Sequence, residues 1–182
     1  MPSPDTNSPV SSDSPDIRIR IAGLSDLPAI VAIYNQAVPT HRSTANTTPY
    51  TAEGRKTWFM DHEPDKHPIF VAEANGVVVG WCSLSGYRPG RAALRFTAEI
   101  SYYVDTSHHG QGIGSALIRH ALQTCPSLGI KNVVAVLIDR NEGSRRLLEK
   151  MGFRQWGYLP RVLDFDGDEC GEYYYGKQVD LA

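Results

Sequence analysis

The run IFVAEANGVVVGWCSLS, residues 69–85, is two β-rich stretches joined by Asn75-Gly76. Asn-Gly tolerates the two positive φ angles of a type I′ turn, whose twist matches that of the strands it joins. An antiparallel hairpin is therefore predicted mid-chain, and any fold open to this sequence must build a sheet around it. The flanking segments alternate between two periods. IRIRIA, from Ile17, alternates strictly and reads as a strand; in LPAIVAIYNQAV, Leu27, Ile30, Val31, Tyr34 and Val38 share one helical face, with Ser25 as the expected N-cap. A short helix is predicted from Thr51 to about His62. RFTAEISYYVD reads as a strand. The helix after it turns Ile113, Leu117 and Ala121 inward and stops before Pro126. NVVAVLI is a short buried strand, NEGSRRLLEKM a helix closed by Gly152, and FRQWGYLPRVL and EYYYGKQV a final pair of strands. The order β-α-α-β-β-β-α-β-α-β-β predicts a mixed α/β (α+β) fold in one domain, residues 17–182. The Pro/Ser/Asp-rich segment 1–16 is expected to be a disordered tail.

Bulk properties narrow the partners. The chain has 182 residues and a net charge of −2, so the total charge does not point to nucleic acid or an anionic membrane. No apolar run approaches the roughly 20 residues needed to cross a bilayer. The first residues combine neither a basic nor an apolar segment, unlike a secretory signal. Cys82, Cys125 and Cys170 are odd in number and far apart, and no metal-ligand spacing is present; a reduced cytoplasmic protein without a metal is expected.

The strongest functional signal is SHHGQGIGSALI, residues 107–118, with glycines at 110, 112 and 114 directly before a helix. Glycine lets a backbone approach a ligand closely, and a helix N-terminus offers unpaired N–H groups and a partial positive charge, a setting suited to a pyrophosphate. A Rossmann fingerprint would need a glycine where Ser115 stands, and a P-loop would need a lysine that the loop lacks.

HHGQGIGSALI resembles the acyl-CoA pyrophosphate loop of the GNAT N-acetyltransferases, R/Q-x-x-G-x-G/A. Gly112 and Gly114 match, and His109 stands where Arg or Gln is usual. Downstream, NEGSRRLLEKMGF is similar to the second GNAT signature, an Asn, a Ser three residues on, and a helix running into Gly-Phe. The resemblance spans about Ile17 to Val179. FTAEISYYVDTSHHGQGIG and the preceding GWCSLSGYRPGRAALRFT look like the phosphinothricin acetyltransferase branch, which acetylates the α-amino group of small amino-acid-like compounds.

The resemblance implies a fold and a set of roles. The fold is a single, mostly antiparallel mixed sheet flanked by helices, its strands splayed by a bulge at the acyl-CoA site. Acetyl-CoA is the co-substrate, and a homodimer is implied. Glu99 is the implied catalytic base. Tyr102, Tyr103 and Val104 would face the pantetheine and supply a backbone oxyanion donor. Gly110, Gln111, Gly112, Ile113, Gly114 and Ser115 would hold the pyrophosphate, and Asn141 would reach the cofactor. Acetyl transfer needs a base to free the amine, donors for the oxyanion and a proton for the thiolate. Many relatives carry a proton-donating Tyr where Leu148 stands here; Tyr173, Tyr174 and Tyr175 are possible substitutes. Substrate recognition is expected from Tyr34, Asn35, Arg42, Tyr87, Arg88, Arg91 and Tyr173, with Arg88 and Arg91 suited to a substrate carboxylate.

Bland readings stand beside these. Glu99 could be half of an ion pair with Arg95, Asn141 an N-cap, and Arg88 and Arg91 solvated loop charges. His62 and His67 read as surface residues beside a turn. A protein or peptide N-acetyltransferase and a catalytically silent acyl-CoA-binding module remain open alternatives.

Overall fold

Asn75 and Gly76 take φ values of 50° and 79°, the positive pair that a type I′ turn demands. They join β2 (Ile69–Ala74) to β3 (Val77–Gly86) in the expected antiparallel hairpin. The structure, a computed structural model, describes residues 17–179. The tail assigned to residues 1–16 and the last three residues lie outside that range. Around the hairpin, β1 (Ile17–Ile21), β4 (Thr97–Val104), β5 (Asn132–Ile138), β6 (Arg154–Phe165) and β7 (Asp168–Gln178) complete a seven-stranded sheet ordered β1-β2-β3-β4-β5-β7-β6. Every neighbouring pair is antiparallel except β4 and β5.

Helices cover both faces. α1 (Leu27–Asn35) and α2 (Ala52–Met60) pack their apolar side chains on Ile69, Val71 and Trp81. α3 (Ile113–Thr124) and α4 (Glu142–Lys150) pack on the opposite face, where Ile113, Leu117, Ile118 and Leu148 meet Phe70, Leu84 and Ile100. The α3 crossover makes β4 and β5 parallel, since two parallel strands cannot be joined by a tight turn.

Four local expectations change. Ser25 lies inside a short 3-10 turn, Leu24–Asp26, and does not cap α1. Asp26 organises that end, accepting from Gly23 N at 2.8 Å and pairing with Arg20 at 2.6 Å. α2 stops at Met60, short of His62, with Thr51 Oγ1 capping Gly54 N at 3.0 Å. The last hairpin is longer than expected, because Asp166 and Gly167 at φ 56° and 91° form a second I′-like turn. No bulge interrupts the β3–β4 pairing, which runs unbroken from Gly80↔Val104 to Gly86↔Ala98. The splay arises instead because β5 leaves β4.

Candidate active site

Pairing of β4 with β5 lasts three residue pairs, Thr97↔Asn132, Ala98↔Val133 and Glu99↔Val134. Beyond Glu99 the strands diverge and open a cleft of about 610 Å³, bounded by β4, β5, α4 and the glycine loop. Asp105 N donates to Val79 O at 2.9 Å and Thr97 O accepts from Tyr87 N at 3.1 Å, so odd-numbered β4 residues turn their peptide groups to β3. Peptide groups alternate along a strand, so those of Tyr102 and Val104 face the gap. The Val104 carbonyl is taken by His109 Nε2 at 2.9 Å. The Tyr102 N–H faces the cleft without a strand partner.

The far wall is the glycine loop. Gly110 and Gly112 have φ of 79° and 81°, and a Cβ on either would meet nothing within 4 Å. Glycine is needed there for the left-handed backbone, which turns the chain so that α3 points its first amides at the cleft. Ile113, Gly114 and Ser115 line that end. A diphosphate fits this wall: free amides, a positive helix end and open space above them.

The floor comes from α4. Asn141 Oδ1 caps the helix by accepting from Ser144 N at 3.1 Å, and its Nδ2 reaches across to Ser43 Oγ, also at 3.1 Å. Asn141 is thus an N-cap that also lines the cleft. Leu148 is buried beside it. Tyr102 Oη donates to Ser144 Oγ at 2.9 Å, and burial pushes that phenol above its usual range. Of the residues expected at the cofactor, Gln111 alone does not line the cleft.

Glu99 is the last β4 residue paired to β5, half-buried on the face that α1 and α2 cover. Burial raises its carboxyl above the ordinary 4.5, and the Glu172 carboxylate raises it further. The ion pair with Arg95 does not form: that guanidinium lies 4.1 Å over the Phe96 ring and bonds Ala92 O at 3.0 Å. Burial also raises the Tyr174 phenol, with Glu172, Tyr87 and Glu99 adding to the effect and Arg88 opposing it. By register Glu99, Tyr174 and Glu172 lie on one face of the sheet, and none of the three lines the cleft itself.

The other expected substrate residues divide. Arg88 is exposed, 5.7 Å over Tyr87, and Arg91 is exposed just before the short turn Ala92–Leu94; neither lines the cleft. Tyr34 is not at the cleft surface; it is buried, bonds Thr44 Oγ1 at 2.6 Å and packs edge-on against Tyr103 at 4.9 Å. Asn35 is used by the backbone of Tyr50 at 2.8 and 2.9 Å. Tyr173 pairs with Leu137, which turns it to the α4 face, its ring tilted against that of Tyr158 at 4.8 Å; Tyr174 is the tyrosine that shares the Glu99 face. None of Tyr173, Tyr174 and Tyr175 lines the cleft. The sequence points to no role for Ser43 or Glu172, to Ser144 only as part of the second signature and to Tyr174 only as a possible proton donor; a loop crossing or strand register sets where each of them lies.

The profile of the acetyltransferase (GNAT) family matches residues 30–153 of the chain. The chain belongs to this family. The GNAT chain is 41% identical over 162 residues to YwnH of Bacillus subtilis, a nominal phosphinothricin acetyltransferase, spanning 88% of this chain and 98% of that protein. It is 36% identical over 145 residues to the L-methionine sulfoximine/L-methionine sulfone acetyltransferase of Pseudomonas aeruginosa, spanning 79% and 84% of the two chains. The crystal structure of a GNAT superfamily phosphinothricin acetyltransferase from Sinorhizobium meliloti in complex with acetyl-CoA superposes with a TM-score of 0.84 at 27% identity, covering 90% of this chain and 88% of that one. As a GNAT protein, the chain is an acetyltransferase.

Proposed function

We propose that this GNAT enzyme transfers the acetyl group of acetyl-CoA to the primary amine of a small amino-acid-like substrate of the phosphinothricin or methionine sulfoximine type. The observation that carries this reading is the cleft that opens where β4 and β5 part, just beyond the half-buried Glu99, onto a glycine loop suited to a diphosphate. Acetyl-CoA lies with its diphosphate on the amides of Gly110 and Gly112–Ser115 and its thioester in the gap. Glu99 takes a proton from the substrate ammonium. The freed nitrogen attacks the thioester carbonyl, and the Tyr102 N–H stabilises the oxyanion. The C–S bond then breaks as the nitrogen loses its second proton to solvent, leaving the amide and coenzyme A thiolate, and Glu99 returns its own proton to solvent. Leu148 cannot donate to that thiolate; Ser144, one helical turn before Leu148 on α4, carries a hydroxyl bonded to that of Tyr102. Arg88, with Arg91 beside it, holds the substrate carboxylate.

A thiol-release assay over amino acids, phosphinothricin, methionine sulfoximine, polyamines and peptides tests the acceptor class. Turnover with peptides alone rejects it. Glu99→Gln is expected to lower kcat about 100-fold or more while acetyl-CoA binding persists. Activity within about threefold of the parent removes Glu99 as the base.

The enzyme is further proposed to act as a cytoplasmic homodimer. β6 ends the sheet and carries Trp156 and Val162 at 53% and 50% exposure, an apolar edge that a second copy would cover. Buried, unpaired Cys82, Cys125 and Cys170 suit a reducing compartment. Light scattering at micromolar concentration is expected to give twice the chain mass; a monomer mass rejects the dimer.

A further inference from the structure

His62 lies just beyond α2, with its Nδ1 2.8 Å from Trp58 O. A carbonyl only accepts, so Nδ1 carries the ring proton, and in the neutral imidazole Nε2 is bare. Nε2 lies 3.0 Å from Ser85 Oγ, so the Ser85 hydroxyl donates its hydrogen to His62. What Ser85 presents to any other neighbour is then lone pairs. Directly opposite Ser85 in the β3–β4 register stands Glu99. Facing residues of an antiparallel pair share one side of the sheet with Cβ atoms about 4.5–5.5 Å apart. A protonated carboxyl can donate to such an acceptor, whereas a carboxylate gains nothing from it.

We propose that His62 and Ser85 are positioning residues for Glu99: the imidazole locks the Ser85 hydroxyl as an acceptor, and that acceptor favours and orients the protonated carboxyl formed when Glu99 deprotonates the amine. The inference rests on Glu99 as the base. Burial keeps His62 below its usual 6.5, with His67 and Arg55 acting in the same direction, while the Trp58 carbonyl and Asp61 oppose it. The imidazole is therefore neutral at pH 7, the state the lock requires. Glu99 itself faces Ser85 from β3, Val134 from β5 and Glu172 and Tyr174 from β7, with Tyr87 and Arg88 on the adjoining loop. When His62 takes a second proton in acid, Nε2 becomes a donor and Ser85 is released to donate to Glu99. The same pair then favours the carboxylate.

The test uses the full chain with His62→Phe, Ser85→Ala, the double variant and His62→Gln. Two quantities are read: the acid limb of the kcat–pH profile, and the Glu99 carboxyl titration by carbon-13 NMR without substrate. His62→Phe frees the Ser85 hydroxyl to donate, so both midpoints are expected to fall by about half to one pH unit. Ser85→Ala, which removes the acceptor with minimal disturbance, lowers them less. The double variant matches Ser85→Ala, because the effect of His62 passes through that hydroxyl. His62→Gln, whose Oε1 can accept the same hydrogen, keeps the parent midpoint. A shift from His62→Phe that is equally large in the Ser85→Ala background, or no NMR shift in any variant, overturns the proposal. An NMR midpoint that moves while the kinetic limb stays upholds the effect of the pair on Glu99 and overturns Glu99 as the base.

Discussion

Burial and the Glu172 carboxylate both press Glu99 above the ordinary carboxylate range. Raising a base toward neutral pH strengthens it as a proton acceptor, but it also delays its ionisation as pH rises. The acid limb of kcat is therefore expected above pH 4.5, the ordinary glutamate value. Glu172→Gln removes the repulsion, stabilises the Glu99 carboxylate and should move that limb to lower pH. A profile that stays put or moves upward contradicts this. Glu99 was legible as a candidate base through the resemblance carried by the segment TAEISYY. The role of Glu172 was not: EYYYG carries no apolar alternation to reveal which side each residue faces. The pairing of Ile138 with Glu172 and of Leu137 with Tyr173 decides that parity. It places Tyr174 beside the site and Tyr173 behind it.

At the scale of elements, the position of α3 controls the anion site. Gly80 on β3 lets the helix sit close: a Cβ there would lie 3.2 Å from Ile113 Cγ2, Leu117 Cδ1 and the Tyr103 carbonyl. Gly80→Ala is therefore expected to destabilise the chain by about 1–3 kcal/mol through overpacking. The added methyl would also push the start of α3 away from β4 and raise KM for acetyl-CoA several-fold. Urea melts and steady-state kinetics read the two effects, and an unchanged stability together with an unchanged KM defeats the argument. The elements themselves were largely readable from periodicity and turn residues. The expected Ser25 cap failed because Asp26, joined to Arg20 and to the Gly23 amide, offered that chain end a stronger charged partner. The expected bulge in β4 is absent because divergence of β5 alone opens the cleft.

The cleft is shared among parts of the molecule far apart in sequence: β4, β5, the glycine loop, α4 and Ser43 of the segment after α1. A ligand touching all of them binds the folded state alone, so acetyl-CoA at about 100 times its Kd should add roughly 2.7 kcal/mol of stability. A melting-temperature rise of several degrees is expected in a thermal scan, and its absence at that saturation contradicts the placement of the cofactor. By itself the sequence determined the central hairpin, the order of strands and helices, the glycine loop at a helix start and the two motifs that resemble GNAT enzymes. Those are local signals, set by a turn's φ angles or a repeat within one element. Only the tertiary structure decided where β4 parts from β5, which face of β7 meets Glu99, and that His62 reaches Ser85. These depend on register between distant segments, and because side chains alternate along a strand, a slip of one residue would send each to the opposite face.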